Sequence, residues 1–233
     1  MSLSYSHGRE FVEQARPLLE SKDAAAFARF LRRYWPPSML LELLNCGHED
    51  AVCMALAGLS LIGEKDDCPA IALLLHSDDG ATADLAEHAL WSIWFRGGSE
   101  TANAALATAV RLISENRLDE AAERIGTALS DSPHFAEAYH QLAILNFLRA
   151  DYDAAVAQCR AALVHNPWHF GAMAGLGHCY AAMGRLDQAC AAYRQALQLN
   201  PRLAGLRQAI RQTRAAVSAS TGEAAPVNSF TNL

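Results

Sequence analysis

The sequence predicts an all-α protein, and two observations carry that prediction. Alanine makes up about a fifth of the 233 residues and leucine follows it, so strong helix formers dominate. Apolar residues recur at helical spacing between short breaks. Runs of β-branched residues are almost absent, and no Asn-Gly or Asp-Gly dipeptide joins alternating segments as a hairpin would. At 52% hydrophobic and 19% charged, the chain is too apolar for a disordered protein and long enough to bury a sizeable core. Its apolar runs, near Leu40–Leu44 and Leu56–Ile62, fall well short of the roughly 18 residues a membrane span needs. The formal charge of −6 disfavours a dominant nucleic-acid role. The start, Met1-Ser-Leu-Ser-Tyr-Ser, lacks the basic and apolar stretches of a signal peptide, and six Cys without a framework of spacings read as reduced thiols. A cytoplasmic protein without a membrane partner is expected.

Arg9–Glu20 and Asp23–Trp35 read as two N-terminal helices within residues 1–35, and Pro36-Pro37 ends one helix and opens the next. Residues 36–101 carry a faint repeat. An offset of 31 places Ala55, Gly58, Leu59 and Ile62 onto Ala86, Ala89, Leu90 and Ile93, and Leu43-Leu44 onto Leu74-Leu75. A short leucine-rich helix, a polar turn and an Ala-x-x-small-Leu-x-x-Ile helix resemble a HEAT repeat.

From residue 102 the period becomes 34. Ala121, Ala155 and Ala189 align, as do Ala128, Ala162 and Ala196, and Asp119, Asp153 and Asp187 fall in register; Pro133, Pro167 and Pro201 close the units. Small residues at 143, 155, 177 and 189 let helices approach closely, with large ones opposite. Pro after Asn166 or Asn200 stops the second helix of its unit. The third unit is the fullest, with Leu176, Gly177, Tyr180, Ala189, Tyr193, Ala196 and Pro201, while the first has Ala105 and Thr108 where an aromatic and a leucine belong. These residues resemble the tetratricopeptide (TPR) family in three units, 102–135, 136–169 and 170–203. Leu203–Val217 is amphipathic, with Leu206, Ala209, Ile210 and Thr213 on one side, and would cap the array over 204–217. Residues 218–233 lose helical period and read as a flexible tail. The combination resembles bacterial proteins of mixed HEAT/TPR type, which implies a right-handed α-solenoid of helix–turn–helix repeats.

No catalytic constellation emerges. Deoxyhypusine hydroxylase builds a di-iron site from His-Glu pairs on HEAT helices, but His48-Glu49 and Glu87-His88 stand out of register with that pattern and are not equivalent to each other under the 31-residue offset. Cys46, His48 and Cys53 lack the complementary pair that a zinc site needs. Neither a phosphate loop nor a nucleophile elbow is present, so no cofactor and no metal are expected.

The TPR resemblance implies that the first helix of each unit lines a concave surface for peptides or helices. By position this groove holds Leu106, Val110 and Ile113, then Glu137, His140, Gln141, Ile144 and Phe147, then Ala174 and His178. The positions that form a carboxylate clamp in chaperone-binding members hold Leu106, Val110, Gln141, Gly171 and Gly175, so that clamp is absent. An apolar floor with two histidines suits an apolar peptide or amphipathic helix. The first hundred residues hold fifteen acids and eight bases, whereas Arg207, Arg211 and Arg214 mark a face that could meet an anionic partner. The expected function is a non-catalytic interaction scaffold or adaptor with a protein or peptide partner. A structural subunit of a larger assembly and a metal-dependent HEAT-repeat enzyme are the alternatives.

Overall fold

A computed structural model describes residues 4–221, with thirteen α-helices and, among these residues, no strand. The chain divides into two compact units between Ala138 and Tyr139.

The first unit opens with α1 (Tyr5–Glu20) and α2 (Ala24–Tyr34), close to the two helices expected. Two short–long helix pairs follow: α3 (Pro37–Leu43) with α4 (Glu49–Ile62), then α5 (Cys68–Leu73) with α6 (Gly80–Phe95). Helix α4 is central and packs against α1, α2, α3 and α6. Gly58 makes this possible, since a Cβ there would meet Leu31 Cδ1 at 2.9 Å and Leu40 Cδ1 at 3.1 Å. His48, with Glu49 and Asp50 behind it, starts this helix: its Nδ1 accepts the Ala51 N–H at 3.4 Å, so these polar residues serve the helix end. Arg96 holds the C-terminal ends of α4 and α6 together. Its Nη1 donates to the carbonyls of Ser60 (2.5 Å) and Ser92 (2.9 Å), and its Nη2 to that of Gly63 (3.3 Å). In the aromatic cluster of α6, Trp94 is buried and Trp91 half-buried, with their rings 5.1 Å apart edge to face. Burial pushes the neighbouring Cys68 thiol up to about 11.

The 34-residue period becomes a repeated backbone design. Helices α7 (Glu100–Ser114) and α8 (Leu118–Asp131) complete the first unit's hairpins; α9 (Ala136–Leu148) spans the boundary; α10 (Tyr152–His165), α11 (Phe170–Ala182) and α12 (Leu186–Leu199) follow in the second unit. The tight turn after α7, α9 and α11 falls at Asn116 (φ 57°), Ala150 (φ 60°) and Gly184 (φ 73°), the same place in each repeat. Asn and Gly suit that left-handed conformation, whereas Ala150 pays for its Cβ there. Replacing Ala150 by Gly is expected to raise stability by about 0.5–1 kcal/mol, the steric relief exceeding the entropy of the added flexibility, as a higher denaturation midpoint with unchanged m-value would show.

The far end of each second helix in the second unit is closed by a buried asparagine. Asn166 Oδ1 accepts the Trp168 N–H at 3.1 Å and Asn200 Oδ1 the Arg202 N–H at 3.0 Å, which turns the chain where proline follows. Helix α13 (Leu206–Thr221) lays Leu206, Ala209 and Ile210 on the α12 side of the unit's core. It runs beyond the expected end at 217, and the rest of the segment read as a tail lies outside the described residues.

Candidate functional site

The second unit has a pocket of about 140 Å³ lined by His140, Ala143, Ile144, Phe147 and Leu148 of α9, Cys159 of α10, and Gly175, His178 and Cys179 of α11. The repeat explains why it is hollow. At the position of Cys159, the preceding unit places Ile125 on α8 and the following one Tyr193 on α12. At the position of Gly175, α9 places Gln141. Two small residues therefore stand where the pattern accommodates large ones, and the wall between α10 and α11 recedes. In the next layer the balance is reversed: Gly177 has no side chain because the Tyr193 ring lies across it.

The rim is held by directed bonds. Tyr193 Oη lies 3.0 Å from His178 Nδ1, with the rings 5.2 Å apart and nearly edge to face. Burial raises the Tyr193 hydroxyl above its ordinary range, and desolvation holds His178 below its own. The exposed His178 ring stands beside an apolar floor. On the other wall, Arg160 Nη2 donates to Tyr180 Oη at 2.8 Å and ties α10 to α11.

Of the ten groove residues expected from the sequence, the structure brings His140, Ile144, Phe147 and His178 to this one pocket. His140 is a wall rather than a contact point, 7% exposed with its ring 4.6 Å from that of His169. Gln141 is equally buried, and Ala174 packs on the core. Leu106 is fully buried in the first unit, where Val110 and Ile113 are partly covered; Glu137 is fully buried at the head of α9. Arg207, Arg211 and Arg214 are all exposed on α13. Sequence reasoning missed the contributions of Leu148 and of the two thiols. The signal that could have found them is the drop in side-chain size at 159 within the 34-residue register.

On α9, Glu137 and His140 stand one turn apart, a spacing that can bring two donor atoms to one side of a helix. Beside His140, however, His169 is committed: its Nδ1 accepts the Ala172 N–H at 3.1 Å as the cap of α11. The ring proton then sits on Nε2, which makes that edge a hydrogen-bond donor instead of a ligand.

Comparison with known proteins bears directly on this unit. The tetratricopeptide repeat family pattern matches residues 170–203. The chain contains a TPR repeat. A TPR repeat-containing protein of Rhizobium etli is 28% identical over 108 residues, which span 46% of this chain and 53% of that protein, so the match reaches only about half the length of the relative. Among solved structures, the first TPR domain of human RPAP3 has a TM-score of 0.52 at 18% identity, covering 55% of this chain and all of that one. The Sgt2 TPR domain from Aspergillus fumigatus has a TM-score of 0.51 at 15% identity, covering 58% and 92%. The first TPR of Spaghetti (RPAP3), solved with the HSP90 peptide SRMEEVD, has a TM-score of 0.50 at 19% identity, covering 52% and 95%. At these identities the structural likeness speaks to the fold. The TPR hairpins are thus supported by sequence and structure together, and no described helix is long and apolar enough to cross a membrane.

Proposed function

We propose that this protein is a non-catalytic interaction adaptor that holds a peptide or amphipathic helix by seating one bulky apolar side chain between α9 and α11. The observation that carries the reading is the pocket itself, nearly all apolar, with the His178 imidazole at its rim. Its 140 Å³ is close to the roughly 150 Å³ cavity that accommodates a benzene ring, so a Leu, Met or Phe side chain fits. That imidazole would meet the backbone of the same peptide. Acidic C-terminal peptides such as SRMEEVD are poor ligands on this reading, because the clamp positions Gln141, Gly171 and Gly175 bring no cation.

Residues 36–101 fit HEAT-like repeats, each a short helix followed by a long one. Exposed Arg207, Arg211 and Arg214 would favour an anionic flank on the partner, and the six free thiols suit a reducing compartment such as the cytoplasm. The test is selection from a random peptide library, with SRMEEVD as the comparison ligand. Enriched peptides should share one bulky apolar residue and bind at least 100-fold more weakly to Ile144→Arg, a half-buried position on the pocket wall whose substitution should leave the helical circular dichroism intact. Failure to enrich any common residue, or equal binding by the natively folded variant, overturns the proposal.

A further inference from the structure

The pocket wall contains two thiols, one from each of two adjacent helices. Cys159 on α10 and Cys179 on α11 are 1% and 2% exposed as whole residues, yet both line the cavity. A Cβ at Gly175 would stand 3.1 Å from Cys159 Sγ, and Cys179 follows Gly175 by one turn on the same face of α11. The missing side chain at 175 is what lets the α10 sulfur reach that face. The other four thiols are turned to oxygen: Cys46 to the His48 carbonyl (4.0 Å), Cys53 to Thr82 Oγ1 (3.9 Å), Cys68 to the Glu64 carbonyl (3.9 Å) and Cys190 to the Ile210 carbonyl (4.0 Å).

The two sulfurs are electronically unlike. The neighbouring Cys179, reinforced by burial, pushes the Cys159 thiol up. The same pairing holds Cys179 below the ordinary thiol range, and a lowered pKa raises the thiolate fraction of a cysteine. Two cysteines of unlike acidity on the wall of one cavity match the arrangement of a nucleophilic and a resolving cysteine.

We propose that Cys159 and Cys179 form an oxidation site that a hydroperoxide converts to a disulfide across the pocket wall. In the first step the Cys179 thiolate attacks one peroxide oxygen. An S–O bond forms, the O–O bond breaks, and hydroxide leaves to take up a proton as water. In the second step the Cys159 sulfur, giving up its proton, attacks the Cys179 sulfenic sulfur. The S–S bond forms, the S–O bond breaks, and a second water leaves. Two thiols and one hydrogen peroxide give one disulfide and two waters, with sulfur oxidised and peroxide oxygen reduced. This chemistry is independent of what the pocket binds.

The test uses the full chain and hydrogen peroxide in small excess, followed by catalase, alkylation in denaturant and tryptic digestion without reductant. Cys159 and Cys179 fall in separate tryptic peptides, 150–160 and 161–185. The expected product is these two peptides joined, two hydrogens lighter than their sum and separated by dithiothreitol, with the other four thiols alkylated. In Cys159→Ser the link should vanish and dimedone should label Cys179 as its sulfenic acid. Alkylation of both thiols in peroxide-treated wild type overturns the proposal, as does linkage of either to a different cysteine. Wild-type protein carries the decisive measurement, so the result stands even if the variant folds poorly.

Discussion

Gly177→Ala is expected to lower the thermal midpoint by roughly 4–8 °C, although alanine is the better helix former. A Cβ at 177 would press directly into the Tyr193 ring, against Cδ1 and Cε1, with Cγ only 3.0 Å away. The ring cannot swing aside freely, because Tyr193 is 2% exposed and its hydroxyl is anchored to His178 Nδ1 at 3.0 Å. Overpacking of this kind costs about 3 kcal/mol and the gain in helix propensity returns about 1, which leaves a net loss of roughly 2. For a protein of this size that is the stated shift in midpoint. Differential scanning calorimetry checks it, and combining the change with Tyr193→Leu should recover most of the loss. An unchanged or raised midpoint for the single variant would show that the α11–α12 contact is looser than its geometry implies.

That contact also shows which parts of the molecule were legible in the sequence. The 34-residue register, read from alanines and prolines, matches the helices closely: α8, α10 and α12 begin at 118, 152 and 186 and end at 131, 165 and 199. Such positions are legible because close helix packing admits only small side chains and helix ends admit few residue types. The groove was harder to read. A repeat pattern assigns a residue to a face, but whether that face is open depends on the side chain packed opposite, one helix away in sequence. His140 sits on the expected face yet is closed off by His169, while Gly175 and Cys159 open a space that neither reveals alone. Such spaces show only when whole repeats are compared: in register, Ala109 stands with Ile125, Ala143 with Cys159 and Gly177 with Tyr193. In the middle pair both members are small, and the pocket lies beside it.

Because the pocket arises from missing side chains, it can be filled from within, and Gly175→Leu should separate binding from folding. Helix α11 gains about 1 kcal/mol in propensity from replacing an interior glycine. The new side chain would occupy the apolar space that Ile144, Phe147 and Leu148 line, and even partial burial of a leucine is worth about 1–2 kcal/mol. Against this stands one tight approach, since the added Cβ meets Cys159 Sγ at 3.1 Å and the sulfur must yield by a few tenths of an ångström. Movement of a single sulfur bordering a cavity costs less than these gains, so the variant is expected to be more stable than wild type by about 1 kcal/mol. Its affinity for library-selected peptides should nevertheless fall at least 100-fold, because the anchor would have no space to enter. Ile144→Arg makes the same site repulsive by placing a charge on the wall, whereas Gly175→Leu leaves its chemistry apolar and removes only the volume. If both variants lose binding, the anchor is an apolar side chain seated in the pocket. If Gly175→Leu binds as wild type does while remaining native in calorimetry, the peptide crosses α9 without entering, and recognition rests on the exposed His178 edge.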